Sequence, residues 1–164
     1  MPKYVVDTNI FIEAFRDPAA NAELQRFHLF FAPFEYMSAV VAQELIAGTR
    51  GAADRRKLER HVLAVYARRG RVITPSQRAW ERSGAILADL VRHEGLELQR
   101  VSKAFGNDIL LAVSCREAGC VLVTDNSRDF ERIARVSSLR FVAPFPSTYV
   151  FRRVGDRRQG HRHD

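Results

Sequence analysis

The tightest constraint on the fold comes from two short apolar runs, Tyr4-Val5-Val6 and Val121-Leu122-Val123, in which no polar residue alternates with the apolar ones. A strand with one face in water alternates. A strand without alternation is covered on both faces, the condition of a parallel sheet clothed by helices. Between these runs the spacing turns helical. Thr8 to about Arg16 reads as a helix closed by Asp17-Pro18, Ala20 to Phe30 as a second helix, and Phe34 to Met37 as a second strand. Ser38 can cap the helix carrying Glu44, and Gly48 ends it. Ala52 to Arg69 is a long helix stopped by Gly70, followed by a short third strand, Val72-Ile73. Pro75-Ser76 opens a helix to about Glu94, and Asn107 to Ala118 is the helix feeding the Val121 strand. Ser127 to Arg135 and Leu139 to Val142 complete the series as helix and strand. This alternation predicts a three-layer α/β fold, a central, mostly parallel sheet of about five strands flanked by helices.

A chain of 164 residues suits one domain able to bury most of its apolar surface. With 46% hydrophobic and 27% charged residues it reads as globular, not disordered. No apolar run approaches the ~20 residues a bilayer demands. Met1-Pro2-Lys3-Tyr4 runs straight into a strand, without a signal-peptide core. A cytoplasmic protein without membrane association is expected. Cys115 and Cys120 are too few for a disulfide framework or zinc cage and read as buried thiols. The net charge of +7 favours a polyanionic partner, but its distribution is uneven. Residues 151–164 hold five arginines against Asp156 and Asp164, a net of +3, which leaves +4 for the rest. Residues 1–150 therefore read as the domain and 151–164 as a basic, flexible tail.

The acids are placed unusually. Asp7 ends the first strand, Asp125 the fourth, and Asp108 lies in the expected first turn of the helix that feeds the fourth strand. In open parallel sheets, ligands bind beyond the carboxyl ends of strands where strand order reverses. If strands one and four are neighbours, these acids face one crevice. Taken singly, each has an ordinary explanation: Asp7 as a helix cap, Asp108 stabilised by the helix dipole, Asp125 and Asp129 flanking a turn. Glu44 differs, because it sits on a small, apolar helical face in Val40-Val41-Ala42-Gln43-Glu44-Leu45-Ile46. An acid there needs a compensating partner. Convergent carboxylates repel one another unless a cation neutralises them, and oxygen ligands without a His/Cys set suit Mg²⁺ or Mn²⁺, not zinc.

Four segments in this order resemble a known family: Asp7-Thr8-Asn9, Ser38 through Glu44-Leu45 to Gly48, Asn107-Asp108-Ile109-Leu110-Leu111-Ala112, and Thr124-Asp125-Asn126-Ser127-Arg128-Asp129-Phe130. Together, over roughly Lys3 to Pro144, they resemble PIN-domain ribonucleases, and specifically VapC-type toxins of bacterial toxin–antitoxin pairs. The resemblance implies a sheet with its first strand central and metal-dependent cleavage of RNA phosphodiesters. It also implies a cognate antitoxin and a homodimer. Asp7 and Asp108 are the expected direct metal ligands, and Glu44 binds a second ion or orients the attacking water. The family pattern favours Asp129 as the fourth acid, while Asp125 lies closer to the strand end. Thr8, Asn9, Thr124 and Asn126 are expected to orient the carboxylates, and Ser38 is either a cap or such a donor.

Two other readings compete. A haloacid-dehalogenase-like phosphatase also begins with a strand ending in Asp, and Lys103, Thr124, Asp125 and Asp129 superficially match its remaining needs. It requires an acid two residues after the nucleophile, where this chain has Asn9, and it leaves Glu44 unexplained. The second is a catalytically silent RNA- or partner-binding module. His28, His61 and His93 show no ligand spacing. The phenylalanines Phe27, Phe30, Phe31 and Phe34, with Leu24 and Leu29, exceed the needs of one helix face, so part of them could serve a dimer or an antitoxin helix.

Overall fold

The computed structural model describes residues 1–145. The basic segment 151–164, expected to be a tail, lies outside the described residues. Five strands, β1 (Lys3–Val6), β2 (Glu35–Ser38), β3 (Val72–Ile73), β4 (Cys120–Val123) and β5 (Phe141–Val142), form one parallel sheet in the order β3-β2-β1-β4-β5. The expected architecture is therefore present, with β1 central. Val5 and Val6 pair with Leu122 and Val123, and all four are buried on both faces of the sheet, which is why neither strand alternates.

Helices α1 (Thr8–Arg16), α2 (Pro18–Phe31), α3 (Ala39–Ala47), α4 (Ala52–Leu58) and α5 (Ala64–Arg68) follow the first strands, and α6 (Gln77–Glu94), α7 (Lys103–Glu117) and α8 (Ser127–Val136) the later ones. One core runs between the layers, with Ile86 and Leu90 of α6, Ile109 and Leu111 of α7, and Phe130 and Ile133 of α8 fully buried. Each such side chain contributes about 1.5–3 kcal/mol of hydrophobic stabilisation. On the other side, Tyr4 packs edge-on against Phe27 and Phe31 of α2, ring centroids 5.8 and 5.0 Å away. Two of the surplus phenylalanines are thus core residues.

Several boundaries differ from the sequence expectation. Asp17-Pro18 both ends α1 and starts α2: the Asp17 N–H donates to Glu13 O, its side chain accepts from Ala20 N at 3.0 Å, and Pro18 occupies the first turn of α2, where a missing N–H costs nothing. The second strand begins at Glu35, after a 3₁₀ turn over Ala32–Phe34. The long helix is interrupted between α4 and α5 by a π-helical turn, Glu59–Leu63. Gly95 and Gly119 end α6 and α7 with positive φ, a conformation that only glycine adopts without strain.

The most consequential shift concerns α7. It starts at Lys103, not Asn107, because Ser102 caps it by accepting the Phe105 N–H at 3.0 Å and Gly106 continues the helix. Asp108 therefore sits in the second turn, not the first. Both cysteines are buried free thiols, as expected. Among the described residues no helix is long and apolar enough to cross a membrane.

Candidate functional site

The chain runs outward from β1 to β2 and β3, then returns to place β4 on the other side of β1. The strand order thus reverses between β1 and β4, and the register Val6↔Val123 brings Asp7 and Thr124 side by side at their carboxyl ends. The Asp7 N–H closes the ladder on Val123 O at 2.9 Å. Its carboxylate is 4% exposed and held at both oxygens, Oδ1 accepting from Thr8 N at 2.7 Å and Oδ2 from the Thr124 hydroxyl at 2.6 Å. The Thr124 oxygen in turn accepts from Asn126 N at 3.0 Å and Asn9 Nδ2 at 3.5 Å.

Asn126 does double duty. Its carbonyl oxygen caps α8 by accepting from Asp129 N, and its amide donates to Asp129 Oδ2 at 3.0 Å and Asp108 Oδ2 at 3.3 Å. Glu44 reaches the same group from α3: its Oε2 accepts from the Thr8 hydroxyl and its Oε1 from Asn107 Nδ2 at 2.8 Å.

Electrostatics tie the acids together. Burial raises the pKa of Asp7, hydrogen bonds from Thr124 and Thr8 lower it in part, and the Glu44 charge raises it further. Burial also pushes Asp108 upward, and the charges of Asp7, Asp129 and Glu44 add to this, so its pKa reaches about 7. Four carboxylates thus share one field, and the groups that orient them in this network are neutral amides and hydroxyls.

Asp7, Glu44, Asp108 and Asp129 come together with Thr8, Asn9, Thr124 and Asn126 around them. Asp125 is exposed and makes no hydrogen bond to the group, so Asp129 is the fourth acid that the network includes. Ser38 caps α3, accepting from Val40 N at 3.2 Å, and no hydrogen bond links it to the acids. Asn107, to which the sequence analysis assigns no role, joins the group through its hydrogen bond to Glu44, and its adjacency to Asp108 is the sequence signal for it. Glu35, an acid 3% exposed in β2 and separate from this group, has no local sequence signal. Its oxygens accept from the Tyr66 hydroxyl at 2.6 Å and pair with His28 Nδ1 at 2.8 Å. Glu44, expected on a buried face, is only half-buried.

Among the described residues no three acid, histidine or cysteine side chains form a ready-made cage for an ion. The donor set nevertheless fits a hard cation that keeps most of its waters, as Mg²⁺ does when bound through one or two carboxylates. Asn9 adds a buried Oδ1 without a hydrogen-bond partner among the described residues, a further oxygen beside the group suited to such a shell.

A separate cleft of about 400 Å³ opens between α1, α2 and the α4–α5 segment, with Glu35, His28 and Tyr66 in its wall. Phe15, Leu29 and Val65 line it and are exposed, Leu29 to 81%.

Comparison with known proteins agrees with the fold. The family model described as the PIN domain matches residues 4–136. Among solved structures, a DNA-bound VapBC complex from Salmonella typhimurium is similar at 24% identity and a TM-score of 0.66, covering 87% of this chain and 98% of that one. A FitAcB structure from Neisseria gonorrhoeae is similar at 18% identity and a TM-score of 0.60, covering 84% and 95%. A toxin–antitoxin complex from Klebsiella pneumoniae is similar at 22% identity and a TM-score of 0.58, covering 88% and 100%. At these identities the likeness concerns the fold. No curated protein matched the chain at the significance required.

Proposed function

The chain belongs to the PIN-domain family, and from its acid group we propose that it is a Mg²⁺- or Mn²⁺-dependent endoribonuclease, the toxic member of a toxin–antitoxin pair. The single observation that carries this reading is the convergence of Asp7, Glu44, Asp108 and Asp129 at the strand-order reversal, each accepting hydrogen bonds from neutral donors. Four acids gathered with no cationic side chain in their network among the described residues suit a site that takes its positive charge from solution.

Asp7 and Asp108 would hold the ion. When bound, it supplies Lewis-acid chemistry, lowering the pKa of water and offsetting charge on the phosphoryl oxygens. Hydrolysis adds one water to phosphorus, breaks one P–O ester bond and passes a proton to the leaving oxygen. Glu44, facing the group from α3, orients the attacking water and accepts its proton. Asn126 keeps Asp108 and Asp129 turned inward, and Thr124 and Thr8 do the same for Asp7. Lys103 and Arg128, exposed in the first turns of α7 and α8, are cations that would attract a phosphate backbone.

The antitoxin is a separate polypeptide in this reading. Phe15, Leu29 and Phe30, exposed to 57%, 81% and 63% on α1 and α2, are apolar surface for the antitoxin or a second copy of the chain to cover. The similar complexes from Salmonella and Klebsiella support a partner of this kind.

Membership of the PIN-domain family and the presence of Glu44 both weigh against the phosphatase of haloacid-dehalogenase type considered from the sequence, since that chemistry has no use for an acid there. Incubation with Mg²⁺ and either a mixed RNA or a small phosphomonoester separates the two. Cleavage of RNA with the phosphomonoester untouched is the expected result; turnover of the phosphomonoester alone would overturn the reading.

A further inference from the structure

We infer that Asn107 is a positioning residue for Glu44: its amide holds the Glu44 carboxylate against the acid group, and the cleavage step depends on that hold. The inference rests on the nuclease reading above. Glu44 extends from α3 on a long side chain and, among the described residues, has two hydrogen-bond partners, both on other elements, the Thr8 hydroxyl of α1 and the Asn107 amide of α7. Among the described residues no arginine, lysine or histidine forms an ion pair with it. A carboxylate gripped at one oxygen still rotates about the remaining torsions, whereas one gripped at both, from two directions, is fixed in its plane.

The choice of donor matters. A lysine at position 107 would fix Glu44 equally well but would cancel its charge and repel a cation. An aspartate there would add a fifth negative charge to a group that already pushes Asp108 up to about 7. An amide orients the carboxylate and leaves its charge intact for a water proton or a cation. It presents its N–H side, because its carbonyl oxygen would be repelled. Asn107 also directly precedes Asp108, so α7 sets the Glu44 orientation and carries Asp108 at once. Thr8 makes the matching link on the other side, its N–H holding Asp7 and its hydroxyl Glu44.

The test uses the full chain with Asn107→Ala, Asn107→Gln, Glu44→Gln and the Asn107→Ala/Glu44→Gln pair. Rates of RNA cleavage at saturating Mg²⁺ are read beside calorimetric titration of the first Mn²⁺ ion. Asn107→Ala should lower kcat by about 10–100-fold, with KM and first-ion affinity within about twofold of the parent. Asn107→Gln, which retains the amide, should recover part of the loss and covers the case in which the alanine variant folds poorly. In the Glu44→Gln background, Asn107→Ala should cost nothing further. Parental kcat in Asn107→Ala, an additive double variant, or loss of the first Mn²⁺ along with the rate would each overturn the inference. A parent chain that cleaves no RNA would instead bring down the nuclease reading, an outcome distinct from these.

Discussion

Asp108 concentrates the electrostatics of the acid group. Its pKa of about 7 arises first from burial and then from the charges of Asp7, Asp129 and Glu44. In the unfolded chain an aspartate titrates at about 3.9. Between these values the folded state holds a proton that the unfolded state has lost, so stability falls as pH rises through that window and levels off above it. Asp7, also raised by burial, acts in the same direction. In EDTA, the melting temperature should therefore be lower at pH 8 than at pH 5, by roughly 5 °C or more for a chain of this size. Asp108→Asn should flatten most of this slope, and Mg²⁺ should raise the melting point at pH 8 by neutralising the group. Scanning calorimetry at the two pH values checks this; equal melting points in EDTA for parent and variant would contradict it.

At the level of elements, the inward-facing acids fall into two groups held for different reasons. Glu35 of β2 is tied to Tyr66 of α5 and His28 of α2, and the Tyr66 pKa is raised by burial first and by the Glu35 charge next. This network joins a strand to the helices on its flank and lies apart from Asp7 and Asp108. Tyr66→Phe leaves the buried Glu35 Oε1 without its donor and should cost about 1–3 kcal/mol of stability, while RNA cleavage below the melting temperature persists. Denaturant unfolding and a cleavage assay on the same preparation measure both; lost cleavage in the folded variant would connect Glu35 to the chemistry. The contrast shows what was legible in the sequence. Non-alternating valines announced β1 and β4, and the three Asp-containing segments announced the carboxyl edge of the sheet, because these signals are local. The start of α7 was misplaced because Gly106 interrupts the helical pattern, although Ser102 already supplies a cap. Glu35 went unnoticed because a buried acid in a strand is recognisable only by partners elsewhere in the chain, one of them 31 residues away. Glu44 was legible from the apolar helical face that carries it, although it is only half-buried, whereas its partner Asn107 lies 63 residues away and its adjacency to Asp108 is the one local sign of it.

For the whole molecule, topology makes the site. Reversing the strand order beside β1 places Asp7, from the start of the chain, next to Thr124, from near its end, and α3 and α7 bring Glu44 and Asp108 to the same edge. Asp7 and Asp129 could each serve as an ordinary cap or helix-terminal group, and only the complete fold gives them a common field with Asp108 and Glu44. In the proposed function this field would hold a divalent ion for RNA cleavage. The most direct test is the cleavage rate of an end-labelled RNA by the parent chain and by Asp108→Asn, each in EDTA and in saturating Mg²⁺. The parent should cleave in Mg²⁺ alone, and Asp108→Asn should lose at least about 10³-fold although it folds as well as the parent or better. Cleavage that persists in EDTA, or an Asp108→Asn rate equal to that of the parent in Mg²⁺, would contradict the proposed function.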